Sequence, residues 1–280
     1  MTDYTNQDAL VDTDWLEQQG DSADIAILEV DEDTTAYEKG HIPNSISIDW
    51  ANELHDLPRR EFVTSDQLAK LLGEKGVSSD QTIVLYSGNN NWFAAYAYWL
   101  FKYRGVDNVK LLNGGRKKWE LESRLLTQDE PNRSATTFTI GPEVQDFRIL
   151  RDEVIERATR GNEAWVDVRS PEEFRGELLA PPHLPQEQAQ VPGHIPGASN
   201  ITWSKAVNED GTFKTADELK DLYAAEGITS DKEIVTYCRI GERSSHSWFV
   251  LKELLGFANV RNYDGSWTEY GSLVGVGIEK

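Results

Sequence analysis

The stretch TSDQLAKLLGEKGVSSDQTIVLY, residues 64–86, returns 151 positions later as TADELKDLYAAEGITSDKEIVTY, residues 215–237. The match extends from Phe62 to Gly114 in the first copy and from Phe213 to Gly265 in the second, and the tetrapeptide GHIP at residues 40–43 recurs at residues 193–196. A gapless match of this length indicates a duplicated domain, because solenoid repeats are only about 20–50 residues long. The sequence therefore predicts two related domains.

Each copy alternates strand signals with helix signals. Short apolar or β-branched runs predict strands at residues 25–30, 83–86, 109–112, 164–168, 234–237 and 260–263. Thr64-x-x-Gln67 and Thr215-x-x-Glu218 are capping boxes, each of which begins a helix. Two further helices are predicted over residues 93–103 and 245–255. This alternation predicts an α/β fold with a parallel sheet flanked by helices in each domain, and ligands bind such sheets beyond the carboxyl ends of the strands.

Residues 127–145 have little apolar content and contain Pro131 and Pro142, so we expect a linker there. The expected domains are residues 1–126 and 146–280. Residues 176–192, rich in Pro and Gln, predict a loop before the second GHIP.

The composition excludes several classes of protein. The chain has 280 residues with 28 Lys and Arg against 48 Asp and Glu, and its net charge of −20 disfavours nucleic acid and anionic membranes as partners. No apolar run approaches the roughly 20 residues that span a bilayer, and the N-terminus MTDYTNQDAL resembles no secretory signal. The single cysteine forbids an internal disulfide and favours a reducing compartment, so we expect a cytoplasmic protein. The five histidines lack metal-ligand spacing, so no metal is expected.

The two copies differ most after their second strand. The first copy reads Tyr86-Ser-Gly-Asn-Asn-Asn-Trp92, and the second reads Tyr237-Cys-Arg-Ile-Gly-Glu-Arg243. Cys238, the only cysteine, follows a predicted strand and precedes by six residues a helix expected to begin at about Ser244. Backbone N–H groups, the helix dipole, Arg239 and Arg243 would all stabilise a thiolate, so we predict a nucleophilic Cys238 with a pKa below about 8.5.

Four motifs stand in order along the chain: YEKGHIP at residues 37–43, GHIPGA at 193–198, CRIGERS at 238–244 and YDGSW at 263–267. On these motifs the chain resembles the two-domain rhodaneses, which are thiosulfate:cyanide sulfurtransferases. This resemblance implies a catalytic second domain, a first domain inactivated by Ser87 at the cysteine position, and a site in the cleft between them. It also implies that Cys238 cycles between thiolate and persulfide without a cofactor.

The resemblance extends to further site residues. Arg239 and Arg243, with the loop residues Ile240, Gly241, Glu242 and Ser244, would hold the sulfonate end of a small anionic sulfur donor. Arg175 matches a family arginine that reaches the substrate. Trp92 and Phe93 occupy positions of aromatic residues that wall the site, and Ser266 is placed to donate to the persulfide. We interpret Arg169, His41, His194 and His246 as structural residues.

The predicted reaction transfers the outer sulfur of thiosulfate to cyanide or a thiol acceptor. The donor is open, because thiosulfate-using members often have a lysine at the position of Ile240, and Glu242 lowers the positive potential of the loop. A 3-mercaptopyruvate sulfurtransferase and a persulfide carrier for a partner protein are the alternatives. A Cys-dependent phosphatase or arsenate reductase is disfavoured, because Arg243 lies one residue closer to Cys238 than their Cys-x5-Arg loop requires.

Overall fold

The computed structural model describes residues 3–161, 163–181 and 188–280, and the chain divides into two units. The first unit comprises Asp8–Val144 and Val207–Phe213. The second unit comprises residues 3–7, 145–206 and 214–280. The expected domain boundaries at residues 126 and 146 remain a prediction.

The first unit is built on a five-stranded parallel sheet. Its elements are β1 (Leu10–Val11), α1 (Thr13–Gln19), β2 (Ile25–Asp31), α2 (Thr35–Lys39), β3 (Ser45–Asp49), α3 (Trp50–Glu53), β4 (His55–Asp56), β5 (Glu61–Phe62), α4 (Ser65–Glu74), β6 (Thr82–Tyr86), α5 (Gly88–Arg104), β7 (Val109–Leu112) and α6 (Gly115–Leu121). The strand order is β1-β7-β6-β2-β3, and β4 and β5 form a separate antiparallel pair. Every residue of β2 is buried, as expected for a parallel strand with both faces covered.

The second unit repeats this plan with four strands. Its elements are α7 (Arg151–Arg160), β8 (Ala164–Asp167), α8 (Pro171–Phe174), β9 (Ser199–Asn200), α9 (Ala216–Ala224), β10 (Ile234–Tyr237), α10 (Glu242–Phe249), a π-helical turn (Val250–Leu254), β11 (Val260–Tyr263) and α11 (Ser266–Tyr270). All strands are parallel in the order β11-β10-β8-β9, which matches β7-β6-β2-β3 of the first unit. The predicted fold, two duplicated parallel α/β domains, is confirmed.

The duplication persists in side-chain contacts. His41 stacks on Tyr37 with ring centroids 3.8 Å apart, and His194 stacks on Phe174 at 3.6 Å. In each pair the histidine Nδ1 lies within hydrogen-bond distance of the aromatic residue's carbonyl oxygen, at 2.9 and 2.8 Å respectively. The stacking and the Nδ1 contact shared by both copies support the structural interpretation of His41 and His194, which stays a prediction.

Helix starts follow the predicted caps except at the decisive loop. Both capping boxes form, at Thr64 with Gln67 and at Thr215 with Glu218. The helix after Cys238 begins at Glu242 rather than near Ser244, because Gly241 adopts φ 96° and serves as its N-cap. The α-helix ends at Phe249, and the π-helical turn follows it directly. The prediction of a regular helix over residues 245–255 was therefore wrong at both ends.

Residues 128–144 of the predicted linker run along the first unit without helix or strand, whereas Gln145 begins a short 3₁₀ helix, Gln145–Phe147. The Thr136 N–H donates to the Gly73 carbonyl at 2.8 Å, and the Val144 N–H donates to the Tyr103 carbonyl at 2.8 Å. Phe138 is buried. In the predicted loop 176–192, the described residues form neither helix nor strand, and residues 182–187 lie outside the described part of the chain. Across the described residues, no helix combines the length and the apolar character that crossing a membrane requires.

Candidate active site

Cys238 follows β10, a strand with parallel neighbours on both sides. Its carbonyl oxygen accepts a hydrogen bond from the Trp267 N–H at 3.1 Å. The first unit has the same bond 151 positions earlier, from the Arg116 N–H to the Ser87 carbonyl at 3.1 Å. The cysteine and its serine counterpart thus occupy equivalent backbone positions at the carboxyl end of a strand, where ligands bind parallel sheets.

The Cys238 sulfur is completely buried, and polar groups of Gly241, Glu242, Ser244 and Ser266 lie near it. The Gly241 N–H donates to Sγ at 3.2 Å, and the thiol donates to Glu242 Oε2 at 3.3 Å. The Ser266 hydroxyl oxygen lies 4.0 Å from Sγ, accepts the Cys238 N–H at 3.0 Å and donates to the Tyr263 carbonyl at 2.7 Å. Gly241, Glu242 and Ser266 therefore lie together around the sulfur, as the sequence suggested.

The predicted low pKa of the thiol is wrong for this structure. Burial raises the pKa of the Cys238 thiol above its ordinary value, and the adjacent Glu242 carboxylate raises it further. Arg243 and hydrogen bonds from Ser244 lower the pKa without reversing that direction. The helix dipole and the arginines favour a thiolate, but the complete burial of the sulfur and the Glu242 carboxylate that faces it result from tertiary packing, which short sequence patterns do not show.

Arg243 is held by a carboxylate that the sequence analysis did not identify. Its two terminal nitrogens donate to the two oxygens of Glu173, at 2.8 and 3.1 Å, and both side chains are buried. Burial lowers the pKa of Arg243, but the bonds to Glu173 raise it above its ordinary value. Likewise, burial raises the pKa of Glu173 and the bonds to Arg243 lower it below its usual range. The pair is therefore ionised. Glu173 already balances the positive charge of Arg243, which was expected to bind the anionic sulfur donor.

A buried amide fixes the loop behind the cysteine. The Asn262 side chain accepts the Ser244 hydroxyl at 2.6 Å and donates to the Ser245 hydroxyl at 2.9 Å. Both serine hydroxyls are also within hydrogen-bond distance of the Gly241 carbonyl. Asn262 and Glu173 are the site residues that sequence analysis missed. Ser170-x-x-Glu173 is a readable capping box, but the motif does not reveal that its glutamate also binds Arg243.

Other predicted residues occupy varied surroundings. Arg239 is buried, and Ile240 is half-buried. The Arg175 side chain is 49% exposed and pairs with Glu177 at 2.9 Å rather than lying among the buried groups around Sγ. Arg169 pairs with Asp167 at 2.5 Å with both side chains fully buried, as expected of a structural ion pair.

Trp92 and Phe93 belong to the first unit. Their rings stack at 5.3 Å, and Phe93 packs against Trp50 at 5.0 Å. Their proposed contribution to a site wall stays a prediction. Through residues 3–161, 163–181 and 188–280, no group of three or more His, Cys, Asp or Glu side chains is arranged to hold a metal ion.

The loop at the first unit's equivalent position is built differently. Asn89, Asn90 and Asn91 all have left-handed backbone angles, with φ between 46° and 63°, a conformation that asparagine tolerates. Asp31 accepts the Gly88 N–H at 3.0 Å, and Asn91 accepts the Ser87 N–H at 3.0 Å. Side chains of the protein itself thus accept backbone N–H groups of this loop.

Comparison with known proteins assigns this duplicated fold to one family. The family model for the rhodanese-like domain matches residues 12–122 and again residues 150–273. The chain therefore belongs to the rhodanese family and is a sulfurtransferase.

Its relatives include full-length bacterial proteins. The chain is 60% identical over 275 residues to a protein of Saccharopolyspora erythraea named "Putative thiosulfate sulfurtransferase", with 98% of this chain and 97% of the relative covered. It is 52% identical over 280 residues to the sulfur carrier protein TtuD of Thermus thermophilus, with 99% and 98% covered. Among solved structures, EanB with a cysteine persulfide and ergothioneine is similar at a TM-score of 0.86 and 25% identity, covering all of this chain and 72% of EanB.

Proposed function

We propose that this sulfurtransferase moves the outer sulfur of thiosulfate to cyanide or a thiol acceptor through a persulfide on Cys238. The observation that carries the proposal is the position of the only cysteine, at the carboxyl end of β10 with the Gly241 N–H 3.2 Å from its sulfur. Relatives named for thiosulfate transfer, at 56–60% identity over nearly the whole chain, support the same donor.

The proposed reaction is a double displacement. The Cys238 sulfur attacks the outer sulfur of thiosulfate, the S–S bond of the donor breaks, and sulfite leaves with the electron pair. The resulting persulfide lies beside the Gly241 N–H and the Ser266 hydroxyl. The acceptor then attacks the terminal sulfur, and the Cys238 sulfur leaves as the product departs.

The remaining site residues have proposed roles of their own. Arg239 lies next to Cys238 in the loop and would supply positive charge to the donor's sulfonate. Arg243 would act mainly by holding the loop through Glu173, because its guanidinium is already engaged. Ile240 and Ser244 shape the loop, whereas Arg175, exposed and paired with Glu177, would meet the donor only by leaving that partner. We also propose that the second rhodanese copy alone carries the reaction.

Steady-state kinetics with Cys238→Ser and two donors test this proposal. Wild type is expected to prefer thiosulfate to 3-mercaptopyruvate in kcat/KM, and Cys238→Ser is expected to lose transfer from both. A Cys238→Ser variant that kept more than about a thousandth of the activity would exclude covalent catalysis at this cysteine as the main route. A preference for mercaptopyruvate would overturn the donor and leave the chemistry intact.

A persulfide carrier is the second candidate, favoured by the 52% identity to the sulfur carrier protein TtuD. A carrier would accept sulfur from a persulfidated protein faster than from thiosulfate. Measuring loading of Cys238 from thiosulfate and from a cysteine-desulfurase persulfide separates the two functions. Turnover of an aryl phosphate would instead revive the phosphatase hypothesis, which the loop spacing disfavours.

A further inference from the structure

Buried acidic and basic side chains occur in equal number in the two segments that carry Glu173 and Cys238. Within residues 164–175 and 238–249, the buried carboxylates are Asp167, Glu173 and Glu242, and the buried guanidinium groups are Arg169, Arg239 and Arg243. The formal charges of these six side chains therefore sum to zero while the thiol keeps its proton. Attack on an anionic donor requires the thiol to lose that proton, and a buried site disfavours an added uncompensated charge.

Most of these groups are unsuited to take the proton. Glu173 uses both oxygens to bind Arg243, and Asp167 is paired with Arg169. Asp264, next to the loop on the β11–α11 turn, is bonded twice by Arg148, at 2.8 and 2.7 Å.

Two other polar groups near the sulfur act as hydrogen-bond donors. The Gly241 N–H is a donor, and the Ser266 hydroxyl already donates to the Tyr263 carbonyl. Glu242 differs from all of them, because its Oε2 accepts the thiol itself at 3.3 Å while the side chain is buried.

From this geometry we propose that Glu242 is a catalytic proton shuttle for Cys238. This inference rests on the proposed function and adds a residue to it. In the loading step, Glu242 Oε2 takes the thiol proton as Sγ forms a bond to the outer sulfur of thiosulfate. The donor's S–S bond breaks and sulfite leaves as the dianion, so the site holds a persulfide anion beside a neutral carboxyl group.

The same proton returns in the second step. A thiolate acceptor attacks the terminal sulfur of the persulfide, and the bond between the two persulfide sulfurs breaks. The Cys238 sulfur receives the electron pair together with the proton from Glu242, so that the acceptor leaves as a persulfide anion. Protons and charge balance over the cycle, and no oxidant or reductant is needed. The high pKa of the Cys238 thiol becomes useful here, because it makes the cysteine take the proton back.

The test compares thiolate formation with turnover. Cys238 is the only cysteine, so the difference in ultraviolet absorbance against pH between each protein and its Cys238→Ser counterpart reports this thiol and cancels the ten tyrosines. In Glu242→Gln the carboxylate charge is lost, so the thiolate should form at a lower pH than in wild type. Turnover of thiosulfate with a small thiol acceptor should nevertheless fall about 100-fold, the usual scale of lost acid–base catalysis. Glu242→Asp, which keeps a carboxylate, should recover part of that loss.

Glu253→Gln is the matched control. Glu253 is another buried carboxylate, on the π-helical turn after α10, and it binds Asn6 rather than the sulfur. It should leave both the thiolate titration and the turnover at wild-type values. If Glu242→Gln does not fold, Glu242→Ala, which also lacks a carboxylate, replaces it, and wild-type turnover in that variant would overturn the proposal.

Any other combination of turnover and thiolate titration contradicts the role of Glu242 as a proton shuttle. Unchanged turnover in Glu242→Gln would exclude it, and turnover that rose with the thiolate fraction would show that Glu242 only suppresses the nucleophile. Loss of turnover without the expected shift of the thiolate titration to lower pH would indicate a structural role for Glu242. Wild-type protein that takes up no sulfur from thiosulfate would instead refute the proposed function, so the two failures are distinguishable.

Discussion

At the scale of single residues, the site depends on buried charges that neutralise one another. Arg243 and Glu173 lie on different elements, 70 residues apart in sequence, and they meet in a two-point ion pair. Removing one member of such a pair leaves the other buried without its counter-charge, which costs far more than breaking a surface pair.

Glu173→Gln should therefore lower the free energy of unfolding by about 3–5 kcal/mol, the scale for breaking a buried ion pair. Urea unfolding monitored by tryptophan fluorescence measures the change. Glu172→Gln is the control, because Glu172 is exposed on the same helix and should shift stability by less than about 0.5 kcal/mol. Equal effects of the two substitutions would mean that the buried pair contributes nothing.

Asp31 gives a pH-dependent prediction. Burial raises the pKa of Asp31 to about 6, so the folded state favours its protonated form. Its contribution to stability is present at low pH and is lost as the pH rises through about 6. The free energy of unfolding of Asp31→Asn, relative to that of wild type, should increase by on the order of 1 kcal/mol as the pH rises from 4.5 to 8. Thermal unfolding across that range checks this, and a difference that stayed constant with pH would contradict it.

At the scale of elements, the loop between β10 and α10 positions the sulfur. Gly241 has φ 96°, and a Cβ placed there would lie 2.7 Å from the Asp264 Cα. Its N–H also contacts the Cys238 sulfur. The helix begins at Glu242 only because a glycine can adopt this conformation.

Gly241→Ala should accordingly reduce sulfur transfer by at least about 10-fold, since the loop must move to relieve the clash and the N–H then leaves the sulfur. Gly161→Ala is a matched control, with φ 73° and open space around its Cβ. That control should lose stability by about 1–2 kcal/mol from backbone strain and keep its specific activity. Full activity in Gly241→Ala would show that the loop geometry is not needed.

Much of this element-scale structure could be predicted from the sequence, and the reason is local. The strand at residues 234–237 and both capping boxes are fixed by short patterns, and they were predicted correctly. The contact between Glu173 and Arg243 and the complete burial of Cys238 arise from tertiary packing. No spacing in the sequence encodes them, so the pKa prediction had the wrong sign.

At the scale of the whole molecule, one fold is used twice with different loops. The sheets share their strand order and the backbone bonds at Ser87 and Cys238, yet the first unit's loop carries Gly88 and Asn91 where the second carries Arg239 and Glu242. Trp92 stands at the position that matches Arg243. The duplication therefore supplies an internal control for the loop.

Introducing Ser87→Cys into a Cys238→Ser background should not create a sulfur-accepting site. The new thiol would lie in a loop with no cation and near the buried Asp31 carboxylate, so a thiolate there would gain little. Intact mass after incubation with thiosulfate reads the outcome. Uptake of one sulfur by the double variant would show that strand-end placement alone is sufficient and that the loop's charged residues are dispensable.

Intact mass spectrometry of the wild-type protein after brief exposure to thiosulfate tests whether Cys238 carries a persulfide. We expect a gain of one sulfur atom, reversed by cyanide or a thiol and absent in Cys238→Ser. No gain in wild type, or a gain that persists in Cys238→Ser, would contradict a persulfide on Cys238.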